Sequence, residues 1–418
     1  MRTFLSFAAA VTSLIVVFAS SGAPIPLYER YRETEPITTA GLSLAAVSYF
    51  VAVLFSLVVC GRLSNHLGRR PVALATVVLA CMGTAMLLSV HSLVTLASGR
   101  ALQGLACGLA SSVLTSFIIE TAPRRPQWLG TVAAASGPLL GLTIGAVGVG
   151  ALAEYAPTPR QLGLLVAVAL LCCCAVGLVL SSEPVRRTPG AMASLRPRVA
   201  VPAAALPLMP AAAAIFIATW SLGGFYQAFS PTVTAVDLGS QSVFVASVVF
   251  ASFMAPNAFG GPLTGSLEPV TVQRWGIALF ALAAVTLTVA LALHAIALFL
   301  VAGVIAGMSQ GAAFTASLRR LVAQASPAER AGMLATIYLI SYAGAAIPNF
   351  IAGQFSIRVD LTGIAAGYSV LVVLAAVIAI VFTFREASAA PHSDADTSRV
   401  PEFSDAWRAT TTRGSRRS

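Results

Sequence analysis

Long apolar runs separated by short polar turns repeat along the chain from Phe4 to Phe384. A helix needs roughly 20 apolar residues to cross the hydrocarbon of a bilayer. Twelve runs meet that length, at 4–27, 38–60, 72–91, 93–119, 128–151, 161–182, 207–230, 241–263, 270–292, 295–318, 331–354 and 362–384. Several contain Gly or Pro, which a membrane helix tolerates because neighbouring helices satisfy the freed backbone groups. The pattern predicts an all-α integral membrane protein with twelve transmembrane helices.

The texture changes between the sixth and seventh runs. Pro184, Arg186, Arg187, Pro189, Arg196, Arg198 and Pro202 read as a linker. This gives an N-terminal six-helix half over 1–183, a linker over 184–206 and a C-terminal six-helix half over 207–385. Residues 386–418 are polar and mixed in charge, and are expected to form a disordered tail. The halves repeat. Gly104 and Gly108 in the fourth span match Gly307 and Gly311 in the tenth at an offset of 203 residues, and Gly141 matches Gly344 at the same offset. A parallel repeat of six helices is a transporter design, with the substrate site between the halves at mid-membrane.

Composition agrees. The 418 residues are 57% hydrophobic and 10% charged, against about 25% charged in soluble domains. The net charge of +10 comes from Arg alone, since the chain has no Lys. Those arginines sit in short loops and form no basic face interleaved with aromatics, so no nucleic-acid partner is expected. The first, third, fifth and later odd loops hold only Arg30, Arg32, Arg160 and Arg358, while the even loops, linker and termini are Arg-rich. That asymmetry places both termini in the cytoplasm of a multi-pass cell (inner) membrane protein. The N-terminal run continues through Pro24 and Leu27 into further spans, and so reads as a retained first helix and not a cleaved signal peptide. Cys60, Cys81, Cys107, Cys172, Cys173 and Cys174 lie in or beside apolar runs and read as small hydrophobes. No His lies in the interior of a span, since His91 only ends the third, and no metal or cofactor is implied.

The loop after the second span reads Gly61-Arg-Leu-Ser-Asn-His-Leu-Gly-Arg-Arg70-Pro71. It resembles the signature of the major facilitator superfamily, Gly-x-Leu-x-Asp-Arg-x-Gly-Arg-Arg/Lys, and matches it at Gly61, Leu63, Gly68, Arg69 and Arg70. The family's Asp is Asn65 here and its next Arg is His66. The resemblance implies a gating role for Gly61, Asn65, Gly68, Arg69 and Arg70, in which the Asp engages a helix start in the other half. Asn65 keeps the capping oxygen but loses a charge worth roughly 0.3–1 kcal/mol at a helix N-terminus. Arg100-Ala-Leu-Gln103-Gly104 resembles a second family element with a buried Arg. Gly137-Pro138-Leu-Leu-Gly141 resembles the Gly-Pro-x-x-Gly element of the family's efflux antiporters, which implies export and a gating role for Gly137, Pro138 and Gly141. In the family's pattern Leu142 and Ala133 are both Gly. The resemblance covers roughly residues 1–385 and implies the twelve-span fold in two pseudo-symmetric halves.

Arg100 lies about 10 Å into its span at 1.5 Å per residue. It reads either as a functional cavity residue or as a snorkelling Arg. The other candidate substrate-binding residues are Gln103, Tyr49, Tyr226, Gln227, Gln310, Tyr338, Tyr342 and Asn349. Trp220 and Tyr28 read as interface anchors. The acids avoid span centres. Glu29, Glu33 and Glu35 are expected to be solvated, and Glu120 is either an i,i+4 partner of Arg124 or the coupling carboxylate. The expected function is secondary-active efflux of a small neutral or anionic molecule by a monomer, with protons as candidate coupling ion. An importer of a sugar or metabolite and a non-transporting membrane sensor are the alternatives. A membrane enzyme would need a nucleophile–base pair or metal ligands in the spans, and the spans hold neither.

Overall fold

The computed structural model describes residues 2–389 except 124, 125, 127, 157–160, 186, 198, 327 and 328. Arg124, Arg160, Arg186, Arg198 and residues 390–418 of the expected tail therefore lie outside the described residues, while its first residues, 386–389, continue the last helix and are not disordered. Among the described residues, twelve helices are long and apolar enough to cross a membrane. They are α1 Arg2–Gly22, α2 Thr39–Phe55, α3 Arg69–Met86, α4 Leu93–Thr121, α5 Trp128–Tyr155, α6 Leu162–Leu180, α7 Met209–Val236, α8 Val243–Leu263, α9 Pro269–Ala292, α10 Ile296–Ala323, α11 Arg330–Phe355 and α12 Leu361–Ala389. Their sequence explains their ends. Thr38, Ser92 and Ser242 cap α2, α4 and α8 by accepting hydrogen bonds from Gly41, Thr95 and Val245 N–H groups, which the first turn of a helix leaves unpaired. Gly68 opens α3 at φ +94°, a conformation that favours glycine.

Two six-helix halves result, joined by residues 181–208. The end of the molecule that carries residue 2, this segment and the end of α12 is called the linker side, and the other the far side. Within each half the same pair of helices packs through glycines. A Cβ on Gly108 would lie 2.6 Å from the Val53 carbonyl oxygen, and one on Gly104 would meet the Tyr49 carbonyl. In the second half Gly307 meets the Phe253 carbonyl and Gly311 the Asn257 carbonyl. The two sets correspond: α4 lies on α2 as α10 lies on α8. Gly141 lies against α1 at Ile15, and Gly344 against α7 at Ile217.

Several expectations need correction. Glu29, expected to be solvated, is buried and ion-paired with Arg32. The chain turns at Pro24 and Pro26 into a short helix, Tyr28–Thr34, tucked under the far side. Tyr28 is buried and not an interface anchor. Cys172 and Cys173 are exposed on the outside of α6, whereas Cys107 and Cys174 are buried. The seventh span continues past the expected end at residue 230, because Pro231 is carried inside α7. Glu120 pairs with Arg69 at 2.7 Å, and its expected partner Arg124 lies outside the described residues.

Candidate substrate cavity and gate

A cavity of about 270 Å³ lies between the halves. Its walls come from α1, α2, α4 and α5 and, matching them, α7, α8, α10 and α11. Helices α3, α6, α9 and α12 contribute nothing to it. The lining residues of α4 (Ser111, Thr115), α5 (Ala134, Ala135, Pro138), α10 (Gln310, Phe314) and α11 (Tyr338, Tyr342) lie on the linker-side or central parts of their helices. Towards the far side the halves touch. Ser43 Oγ donates to the Asn349 carbonyl at 2.5 Å, the Val243 N–H donates to Glu154 Oε2 at 2.9 Å, and the Tyr155 and Phe244 rings are 5.9 Å apart. Gly150 and Gly353 let the helices close here, against Ser247 and Ser43 respectively. A second cavity of about 520 Å³, lined by Glu29, Arg30, Glu33 and residues 240–243, sits beyond this seal. The protein is therefore sealed on the far side, with its central cavity displaced towards the linker side.

One wall of the central cavity is aromatic. Trp220 and Tyr342 meet edge-on at 4.5 Å between centroids, with Phe314 6.0 Å from Trp220 and Phe50 and Tyr338 each 6.4 Å from Tyr342. Trp220, read from sequence as an interface anchor, is part of this wall. The lining also carries Gln227, Gln310, Asn257, Ser111 and Thr115, and no charged side chain.

Arg100 closes the far end of this region. It is fully buried, and so is not a snorkelling residue. Its Nη1 donates to the Ser21 carbonyl at 2.6 Å and to Gln103 Oε1 at 2.8 Å, and its Nη2 reaches Gln227 Oε1 across the halves at 3.5 Å. The guanidinium lies 4.5 Å from the centroid of the Tyr49 ring, a cation–π arrangement. Gln103 in turn donates to the Ser20 carbonyl at 2.7 Å and to Thr84 at 3.2 Å. Arg100 thus ties α4 to α1 and, through Gln227, to α7.

Of the nine residues expected to bind substrate, five line the cavity: Tyr49, Gln227, Gln310, Tyr338 and Tyr342. Arg100 and Gln103 lie behind them. Tyr226 is stacked on Phe253 at 4.5 Å inside the C-terminal half. Asn349 is buried, with its side chain on the Ala345 carbonyl and the Tyr368 hydroxyl, while its own carbonyl receives Ser43. Tyr226 and Asn349 thus line no part of the cavity.

The motif loop is held from several sides. Arg69 binds Glu120 through Nε and Nη2, and Ser64 and Asn65 through Nη1, at 2.6–3.2 Å. Asn65 faces Arg69 and has no partner from the other half among its described hydrogen bonds. Gly61 packs on the Leu57 carbonyl. Arg70 donates to the Val179 carbonyl. Glu183 accepts from the Arg69 and Arg70 N–H groups at 2.7 and 2.9 Å, the charge that the N-terminus of α3 favours. Sequence reading passed over Glu183, which sits at the end of the sixth span with no motif around it. The connecting segment lies across this loop: Arg62 donates to the Ser194 and Arg196 carbonyls, and Thr188 to the His66 carbonyl. It then reaches α11, where Ala200 N–H donates to the Gly332 carbonyl and Thr336 to that of Ala200. In the other motif, Gly137 packs on Leu14, Pro138 lines the cavity and Gly141 lies 2.5 Å, measured from an added Cβ, from the Ile15 carbonyl.

The sequence model of the family described as Major Facilitator Superfamily matches the chain twice, over residues 5–269 and 211–415. No curated protein matches it.

Proposed function

The chain belongs to the major facilitator superfamily, whose members are transporters, and from that premise we propose that it exports a small neutral molecule by alternating access. The cavity between the halves, sealed on the far side and lined without charge, is the observation that carries this reading. Arg100 gives Nη1 to Ser21 and Gln103 and Nη2 to Gln227, has Tyr49 over its face, keeps only a buried Nε unpaired and lines no part of the cavity, which favours a neutral over an anionic substrate. A cation would enter without a carboxylate to offset its desolvation. The Arg-rich linker side is proposed as cytoplasmic in a cell membrane, so the cavity would load from inside. Export rests on the Gly137-Pro138-x-x-Gly141 element. Protons are the proposed coupling ion, with Glu120 as candidate carrier in the Arg69 ion pair. The protein acts as a monomer without catalytic chemistry.

The test is uptake into inside-out vesicles under an imposed pH gradient, across a panel of neutral, anionic and cationic compounds. Gradient-dependent accumulation of a neutral compound is expected. Accumulation only in right-side-out vesicles makes the protein an importer, and accumulation of lipophilic cations alone overturns the substrate reading.

A further inference from the structure

The cavity has an unusual imbalance. Its aromatic wall, Trp220 with Tyr342, Phe50, Tyr338 and Phe314, belongs to α2, α7, α10 and α11. The remaining lining from α5 is small or aliphatic. One wall therefore offers most of the ring faces and edges to a flat molecule, and the α5 side offers small and aliphatic groups beside the Phe18 ring of α1. The volume of about 270 Å³ lies just under the range of ligand sites, roughly 300–1,000 Å³. A ligand of one or two fused rings matches it.

The polar groups add a direction. Gln310 is buried, and its Oε1 has no hydrogen-bond partner in the protein. A buried amide oxygen left unpaired is costly. The Gln310 Nε2 comes 3.9 Å from where a Cβ on Gly223 would sit, so the amide shares this corner of the cavity with a glycine and the Phe253 ring. Gln227, by contrast, already turns its oxygen to Arg100.

We propose that the transported molecule is an uncharged planar aromatic carrying a hydrogen-bond donor, with its ring against Trp220 and Tyr342 and its donor on Gln310 Oε1. This inference rests on the reading of the cavity as the transport site. A donor-bearing ligand completes a cavity-lining amide oxygen that the protein leaves unpaired. A ligand with an ether in place of the donor leaves Gln310 Oε1 unpaired.

The experiment uses the full-length protein in lipid nanodiscs, titrated calorimetrically against empty discs. The probes are 2-naphthol, its methyl ether 2-methoxynaphthalene, 2-naphthoate and 2-naphthylmethylammonium. We expect 2-naphthol to bind about tenfold or more tighter than the ether, and both charged probes to bind more weakly than 2-naphthol. Gln310→Leu should bring 2-naphthol to the affinity of the ether. Gln310→Glu, which keeps the acceptor, should retain the preference for 2-naphthol and admit the ammonium probe. Equal binding of 2-naphthol and its ether overturns the proposal, as does a preference that survives Gln310→Leu. Tightest binding of a charged probe to the wild-type protein does the same. Ala135→Trp, which fills the cavity from α5, separates the two levels. If it abolishes binding while no donor preference exists, only the ligand class fails. If binding persists unchanged in Ala135→Trp, the cavity itself is the wrong site.

Discussion

Arg100 is a cation with no carboxylate among its hydrogen-bond partners, held at the far end of a membrane cavity by carbonyl and amide oxygens. Its planar fork serves two helices at once, and an ammonium has no such fork. Arg100→Lys and Arg100→Ala are therefore both expected to destabilise the protein, by about 2–5 kcal/mol where buried acceptors lose their donor. Thermal melting of the purified variants in detergent checks this, and wild-type stability of Arg100→Lys would show that charge alone suffices. Asp237 presents a different case. It ends α7, is 8% exposed, and its Oδ2 has no partner. Burial pushes its carboxyl above the ordinary range, Asp360 adds to the push, and the Thr362 hydroxyl and His294 oppose it. The folded state then holds the proton more tightly than the unfolded chain does. Its contribution to stability is complete below the unfolded carboxyl range and is lost as pH rises through the raised value. Asp237→Asn should flatten that part of the stability–pH curve, which melting temperatures across mildly acidic pH will show. At this scale the sequence was only partly legible. Tyr226, Asn349 and Trp220 were all visible as polar or aromatic residues in spans, but which way each faced was not. A span that packs against lipid on one side and protein on the other is apolar on both, so it lacks the stripe that fixes rotation in a soluble helix.

Helices pair through glycines set against carbonyls, and this is where sequence and structure agree best. The offset that relates Gly104 and Gly108 to Gly307 and Gly311 reappears as one packing arrangement made twice. Glycine supplies close approach at these points, and any side chain there forces the helices apart. Two neighbours on α5 make a controlled comparison. A Cβ on Gly145 would run into the Ala19 carbonyl, whereas one on Gly148 meets nothing within 4 Å. Gly145→Ala should cost about 1–3 kcal/mol or more by overpacking, and Gly148→Ala should be neutral. Melting temperature and yield of folded protein measure both, and equal effects would sink the account of α1–α5 packing. Helix ends were less legible than helix existence. Pro231 reads as a stop in a soluble sequence, yet α7 carries it inside, since partners within a bundle satisfy the carbonyl that proline leaves unpaired. Glu183 was invisible for another reason: it reaches Arg69 and Arg70 across more than a hundred residues, and no local pattern encodes that contact.

Across the whole molecule, the six-plus-six plan and the seam between halves followed from run lengths, the polar break and the glycine repeat. Which end of the seam is shut did not, because that depends on contacts between helices far apart in sequence. Ser43 and Gly353 lie in the seal, with an added Cβ on Gly353 2.7 Å from the Ser43 Cβ. The pair Ser43→Cys and Gly353→Cys puts two sulfurs within reach once the helices yield the roughly 1 Å that a disulfide needs beyond this spacing, and is expected to cross-link under mild oxidation and hold the far side together. A cysteine placed at Thr115 should then stay reactive to an impermeant maleimide from the linker side, while transport stops until the bond is reduced. Continued turnover with the bond formed would show that this seal need not open.

The far-side seal also sets the odds of finding the protein in each state. Its hydrogen-bonded part consists of few links, chiefly Ser43 to Asn349 and Val243 to Glu154. A hydrogen bond contributes about 1 kcal/mol net, and 1.4 kcal/mol is a factor of ten in an equilibrium. Loss of a single link therefore moves the ratio of closed to open several-fold without touching the cavity. Such a protein is tuned at its rim: small changes at residues that never meet the cargo shift how long the chamber waits on either side, and with it the concentration at which it works best.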